Sequence, residues 1–448
     1  AGVVRRAALL AGAAATLAGC ARRATTPTPS LAEMPAIRVG IVVDRDSSAI
    51  SASGQFRFLG ADGAILAVVD AGRAWRVEPG DGADRIRLIR PDRPEPVVVA
   101  APVTVRPERA DDYVVIDGRR YRGEALIQRG STGVTVVNRV PLELYLPSVV
   151  SQELGFRAPS DRQAVMAQAV AARTYAIRYR GRRTALGFDV YPTDADQVYG
   201  GVDTELPEVT EATHRTAGWI VTYRGEPIQA LFHSTCGWST EAANEVFQNR
   251  EPVPYLRAVS DRFGGGRADY YCAISPKFRW REEWDGAAIN AVLAQTLAQS
   301  TSNLGRVTNL RVSKTSPTGR VAELTVETTG GEIAVRLGRI REVLRPAPDR
   351  QLPSNLFQLH VERRGGELVR VVAAGAGYGH GVGLYYWHGP SKVDLSHVPG
   401  EHWGDVRAGL LDRLHADYPR AARARGAIVP EVRDEPPGAM AGVGPVAI

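Results

Sequence analysis

From residue 37 to about 139 the apolar positions recur with a period close to two. Ile37-Arg38-Val39-Gly40-Ile41-Val42-Val43 alternates and then becomes fully apolar, which predicts a strand with at least one buried face. Residues 97–99, 113–116, 121–128 and 134–138 predict further strands, the second group running into an Asp117-Gly118 turn. Clusters such as Glu78-Pro79-Gly80-Asp81-Gly82 punctuate them. After residue 160 the period becomes helical. Ser160 and Gln163 have capping-box spacing. Met166, Val170 and Ile177 fall on one helical face that also carries Arg173. Val165, Ala169, Ala172 and Ala176 form an adjacent small-residue stripe that permits close packing, and Gly181 stops the helix. Strands are predicted again at 219–223, 228–232, 310–312, 321–326 and 356–361, with a second helix over 287–299. The Pro/Gly/Ala-rich tail from about residue 426 predicts disorder.

Composition adds a compartment. Arg5 and Arg6 precede a short apolar run over 7–17 that closes on Leu17-Ala18-Gly19-Cys20. Residues 1–20 therefore predict a lipoprotein signal with Cys20 as the lipidated residue, the run being shorter than the about 20 residues that span a bilayer. Residues 21–36, with Thr25, Thr26, Pro27, Thr28, Pro29 and Ser30, predict an extended linker. The expectation is a protein exported and anchored by lipid to a membrane, facing the periplasm or the outer surface. Of 448 residues, 44% are hydrophobic and 23% charged, which is globular rather than disordered composition. The net charge of +6 comes without a dense Lys/Arg block or aromatic interleaving, so it predicts a solvated basic surface and no nucleic acid partner. Besides Cys20 there are two cysteines, Cys236 and Cys272. In an oxidising compartment they form a disulfide, or they join His233 as ligands of a zinc ion, or they remain thiols. The residues leave all three open, with the disulfide preferred and no other cofactor expected.

Three segments concentrate candidate chemistry. Leu142-Glu143-Leu144-Tyr145-Leu146-Pro147-Ser148-Val149-Val150-Ser151-Gln152-Glu153 leads into the predicted helix with Ala167-Gln168-Ala169-Val170-Ala171-Ala172-Arg173-Thr174-Tyr175. His233-Ser234-Thr235-Cys236-Gly237-Trp238-Ser239-Thr240 is the second, and Gly375-Ala376-Gly377-Tyr378-Gly379-His380-Gly381-Val382-Gly383 the third. The alternating glycines of the third do not have dinucleotide-loop spacing. In order and rough spacing these segments resemble the SpoIID/LytB family over roughly residues 37–389. The resemblance implies a glycan-acting core over 140–390, after an N-terminal β-rich region over 37–139 and before a C-terminal extension over 391–448. It implies an α+β, β-rich mixed fold with one long helix beside a substrate cleft. Family members include lytic transglycosylases, which cut peptidoglycan glycan strands stripped of stem peptides, and enhancers of a wall amidase.

On that basis Glu153 matches the family's catalytic glutamate. A carboxylic acid can protonate a glycosidic oxygen if burial keeps it neutral, and apolar Val149, Val150, Leu154 and Phe156 flank it. One carboxyl suffices when the muramic C6 hydroxyl attacks within its own sugar, where effective concentrations reach about 10⁵ M or more. His233, Ser234, Tyr175, Arg173 and His380 are the substrate-binding candidates. Arg173, on an otherwise apolar face, needs a partner, Glu153 or Glu143, or else braces a loop. The sequence departs from the family at Trp238, where a second glycine is usual, and at Tyr385-Tyr386-Trp387-His388, where Ser-Gln-Trp-Gly is usual. The expected function is therefore a single-glutamate lytic transglycosylase, with a non-catalytic partner of cell-wall hydrolases as the alternative.

Overall fold

The computed structural model describes residues 35–155, 161–247, 251–262, 270–298 and 305–385. The capping residue Ser160, the linker up to residue 34, Cys20 and the C-terminal extension lie outside them; the last expected linker residue, Ala36, already belongs to the first strand.

The period-two half of the chain folds as twelve strands: β1 (Ala36–Arg45), β2 (Ser48–Ala52), β3 (Phe56–Leu59), β4 (Ile65–Val69), β5 (Trp75–Pro79), β6 (Arg85–Arg90), β7 (Arg93–Ala100), β8 (Val103–Pro107), β9 (Val114–Ile116), β10 (Arg119–Tyr121), β11 (Glu124–Arg129) and β12 (Val134–Pro141). They form two six-stranded sheets, ordered β1-β12-β11-β8-β3-β4 and β10-β9-β2-β5-β6-β7. Alternation decides which side chains meet: Ile37, Val39 and Val42 of β1 turn inward with Val134, Val136 and Val140 of β12, into a core shared with Ile50, Val77, Ile86 and Leu88 of the other sheet. β1 and β12 run antiparallel, Ile37 opposite Val140.

β12 passes directly into a helix, α1 (Leu142–Leu154), which the strand pattern does not announce. It is apolar nearly all round and contains Pro147, both features that mask helical periodicity. Gly155, at φ 65°, ends it by donating its N–H to Ser151 O. The long helix α2 (Arg162–Tyr179) follows. Its buried stripe is the small one, Val165, Ala169, Ala172 and Ala176, and Met166 and Ile177 pack at its edge. Small side chains let α2 lie close to α1, which brings their polar groups into contact. α3 (Pro207–Arg215) begins on a proline at its first turn, where no backbone donor is lost.

A second core lies further along the chain. The sheet of 280–285, 367–375 and 357–364 and the sheet of 307–315, 321–328 and 331–336 enclose Trp284, Leu310, Leu324, Val326 and Val371 together with Ile289 and Leu293 of the helix Gly286–Leu297. The apolar runs at 219–223 and 228–232 give only the short pairs 222–223 with 226–227, and 232–233 with 384–385. Between these pairs Ile228 and Ala230 are buried in irregular chain against Ala171 and Tyr175 of α2 and Leu384. Packing, not a ladder, uses that apolar surface. The fold is α+β and β-rich. No helix among the described residues is long and apolar enough to cross a membrane.

Candidate active site

Glu153 stands half-buried in the last turn of α1. Its Oε1 accepts the backbone N–H of Val198 at 3.0 Å. Val198 belongs to the segment 191–201, which is clamped on every side. Asp196, its side chain fully enclosed, accepts the Tyr191 N–H at 2.8 Å and the Tyr175 hydroxyl at 3.2 Å, and pairs with Arg183 at 2.6 Å. Gln197 accepts from Tyr145 Oη at 3.3 Å and donates to Ala172 O. The Tyr199 hydroxyl donates to Asn138 of β12 at 2.9 Å, and Gly200 donates to Ser148 of α1. The amide that holds Glu153 is thus fixed to α1, α2 and β12 at once. Burial, followed by the neighbouring Tyr199, Glu153 and Asp196, pushes the Tyr145 phenol well above its ordinary range, so it stays an O–H donor to Gln197. Burial and Asp196 likewise push Tyr175 up.

Arg173 lies 1% exposed, its Nε and Nη2 forked onto Glu143 at 2.9 and 2.8 Å. Its remaining donors reach Trp219 O at 3.0 Å and Thr213 O at 3.3 Å, and Glu143 also accepts the Gly218 N–H. Of the two acids considered for it, Arg173 takes Glu143, and together they brace the turn after α3. Because all its nitrogens are turned inward, Arg173 positions α2 rather than facing a groove.

His233 and His380 form a second group. The strand pair 232–233 and 384–385 holds His233 in the interior, where its Nδ1 lies 3.2 Å from Val382 O. Burial keeps its pKa well below the imidazole range, with the charges of His380 and Arg320 acting in the same direction. His380, half-buried, accepts the Val382 N–H at Nδ1, 3.0 Å, which leaves its proton on Nε2. The two rings are 5.6 Å apart, and Phe247 stands 5.4 Å from His380. Ser234 is half-buried beside Thr235. The glycine spacing now has a reason. Gly379 has φ 102° and a Cβ there would stand 3.0 Å from that of His233; Gly381 has φ 83° and a Cβ would strike the Arg320 guanidinium at 2.3 Å. Tyr175 links the two groups: its hydroxyl meets Asp196 and its ring lies 6.3 Å from that of Phe232.

Cys236 and Cys272 are both buried, with sulfurs 3.4 Å apart. The third donor beside them is Asp261 rather than His233: one ligand atom from each of the three lies within 4.8 Å of the others. Asp261 also accepts the Cys272 N–H at 3.0 Å. Burial, and then Cys272 and Asp261, push the Cys236 thiol well up. Two sulfurs and a carboxylate supply three of the four donors that a closed zinc site takes. Sequence reasoning missed Asp196, Asp261 and Arg320. For Asp196 the signal was available, as a polar, glycine-ended run Thr193-Asp194-Ala195-Asp196-Gln197-Val198-Tyr199-Gly200-Gly201 set between helices.

A half-buried glutamate at the end of α1, held by a loop that is itself tied to α1, α2 and β12, is set within an α+β fold. The chain belongs to the SpoIID/LytB family: residues 130–223 match the family model described as stage II sporulation protein. Residues 267–383 match a second model, a domain of unknown function (DUF8618). An uncharacterized protein of Brachyspira hyodysenteriae is 30% identical over 313 residues, covering 68% of this chain and 77% of that protein. Stage II sporulation protein D of Bacillus subtilis is 28% identical over 263 residues, 55% of this chain and 67% of its own length. The amidase enhancer of Bacillus subtilis is 41% identical over 99 residues, 22% of this chain and 13% of its own length.

Proposed function

We propose that the chain acts on the bacterial cell wall as a lytic transglycosylase, cutting the β-1,4 bond between N-acetylmuramic acid and N-acetylglucosamine in peptidoglycan glycan strands. The observation that carries this reading is the placement of Glu153, half-buried and held through one oxygen by Val198. In this mechanism the Glu153 carboxyl proton passes to the glycosidic oxygen as the C1–O bond breaks. The muramic C6 hydroxyl then closes on C1, and the Glu153 carboxylate takes the hydroxyl proton. The acid is restored, no water is consumed, and the product carries a 1,6-anhydro end. His380 Nε2–H and Ser234 would orient the strand, and Tyr175 acts by holding Asp196 and the clamped loop. The expected compartment is outside the cytoplasm, with Cys20 as the lipid anchor. Cys236 and Cys272 would form a disulfide there; a zinc ion held by Cys236, Cys272 and Asp261 is the other use of the same donors.

Glu153→Gln keeps the acceptor for Val198 and removes the proton. It should lower the yield of anhydro-ended products from purified glycan strands by about 100-fold or more, read by mass spectrometry. The match to an amidase enhancer favours a second reading, a wall-binding protein that stimulates a hydrolase. Strands retained by wild type and mutant alike, with no anhydro ends from either, would decide for it.

A further inference from the structure

The turn that ends α2 concentrates positive charge at one end of the molecule. Arg178, Arg180, Arg182 and Arg183 fall close together in the chain, and the first three are exposed. Arg183 is used inside: its Nη1 lies 2.6 Å from Asp196, and its guanidinium stands 4.7 Å over the Tyr191 ring. Arg182 is 3.7 Å from the same Asp196, and Arg178 is 3.9 Å from Glu226. Pairs that long and that exposed are screened by water and hold their partners weakly. Arginines at a helix C-terminus also complement its dipole. That role needs no apolar neighbour, yet Leu186 projects 49% exposed from the same turn. An apolar side chain in a run of outward arginines suits a surface of phosphate headgroups over hydrocarbon.

The same end receives the chain from its N-terminal side. Pro35 O accepts the N–H of Leu142, the first residue of α1, at 2.9 Å. Asp189 ties the start of β1 to the turn: it pairs with Arg38 at 2.8 Å and accepts the Gly181 N–H at 2.8 Å. The Arg173–Glu143 pair sets the start of α1 against the second half of α2. Glu153, near the far end of α1, therefore lies about 17 Å along the helix from Leu142. The residues between Cys20 and Ala36 can span about 50 Å when extended, enough to seat the body on a membrane. We propose that the turn 178–186 is a docking surface for an anionic lipid bilayer, with Arg178, Arg180 and Arg182 on lipid phosphates and Leu186 at the acyl boundary. A tether at Cys20 would enter the body at the docked end, and Glu153 would lie at the opposite end of α1, on the side of the wall. The docking does not depend on what Glu153 does.

The test is co-sedimentation of the mature chain, residues 21–448, with vesicles of phosphatidylcholine alone or mixed two to one with phosphatidylglycerol. At low salt the wild type should bind the anionic vesicles at least about tenfold more tightly, and raised salt should shrink that ratio. Arg178→Gln, Arg180→Gln and Arg182→Gln together should reduce it to about twofold or less. The same three changed to Lys should keep it, because a fluid bilayer asks for charge and not for a fixed fork. Arg306→Gln, Arg311→Gln and Arg336→Gln remove as much charge from exposed positions of the second core and should leave the ratio intact. A Leu186→Cys variant carrying an environment-sensitive dye should shift to the blue on the anionic vesicles only; Cys236 and Cys272 are buried, so the dye reports residue 186. That variant keeps every arginine and reads docking even where the triple Gln variant loses stability. A wild type without preference, a preference that survives the first Gln triple, equal loss from both Gln triples, or a dye that does not shift would each overturn the proposal. Equal loss would mean a generally basic surface, and an unmoved dye would put the contact elsewhere. Glu153→Gln must leave vesicle binding unchanged, so the docking and the cleavage reading stand or fall separately.

Discussion

Enclosure in the strand pair 232–233 and 384–385 makes His233 a proton sensor for folding, because the unfolded chain can charge this ring and the folded chain cannot. The sign follows from linkage. With a depressed folded pKa, the unfolded state binds the extra proton below its own pKa of about 6.5, so stability is complete above that pH and falls as pH drops below it. The slope approaches about 1.4 kcal/mol per pH unit below roughly pH 6, until the folded ring itself titrates. Urea titrations between pH 5 and 7.5 should show that slope in the wild type, and His233→Gln should flatten it.

Among the elements, α1 and α2 are joined by the Arg173–Glu143 pair. Both partners are enclosed, so removing one leaves a charge in the interior. Arg173→Met should cost about 3–5 kcal/mol, whereas Arg173→Met combined with Glu143→Leu should recover a large part of that loss, because neither charge is then stranded. Denaturant midpoints of the two variants separate these outcomes. The close approach that makes the pair possible comes from the alanine stripe of α2, a feature read from spacing alone. What spacing did not provide was α1 itself. Its apolar surface and Pro147 resemble a buried strand or a loop, and only packing between β12, α2 and α3 makes it a helix.

Across the whole molecule, the loop carrying Cys236 and that carrying Cys272 meet although 36 residues separate them. A bond between these sulfurs would restrict the unfolded chain and add about 4 kcal/mol by loop-closure entropy at that separation. Protein made in an oxidising compartment should therefore show no free thiol from either cysteine on denaturation, and reductant should lower its thermal midpoint. Two free thiols with one equivalent of zinc would instead assign the donors to metal. The sequence by itself determined the β-rich first half, the long helix with its small-residue stripe, the family and the short list of glutamate, histidine and cysteine candidates. These are properties of local period and local motif, and they survive without knowing what lies across the core. Tertiary structure alone decided that Arg173 answers Glu143 and not Glu153, that Val198, in a loop fixed by Asp196, holds the glutamate, and that Asp261 and not His233 joins the cysteines. Those choices pair groups 11 to 45 residues apart, from Cys272 with Asp261 to Glu153 with Val198. A repeating pattern says which way a side chain points; which distant group it meets is fixed only when the two cores and the helices between them have packed.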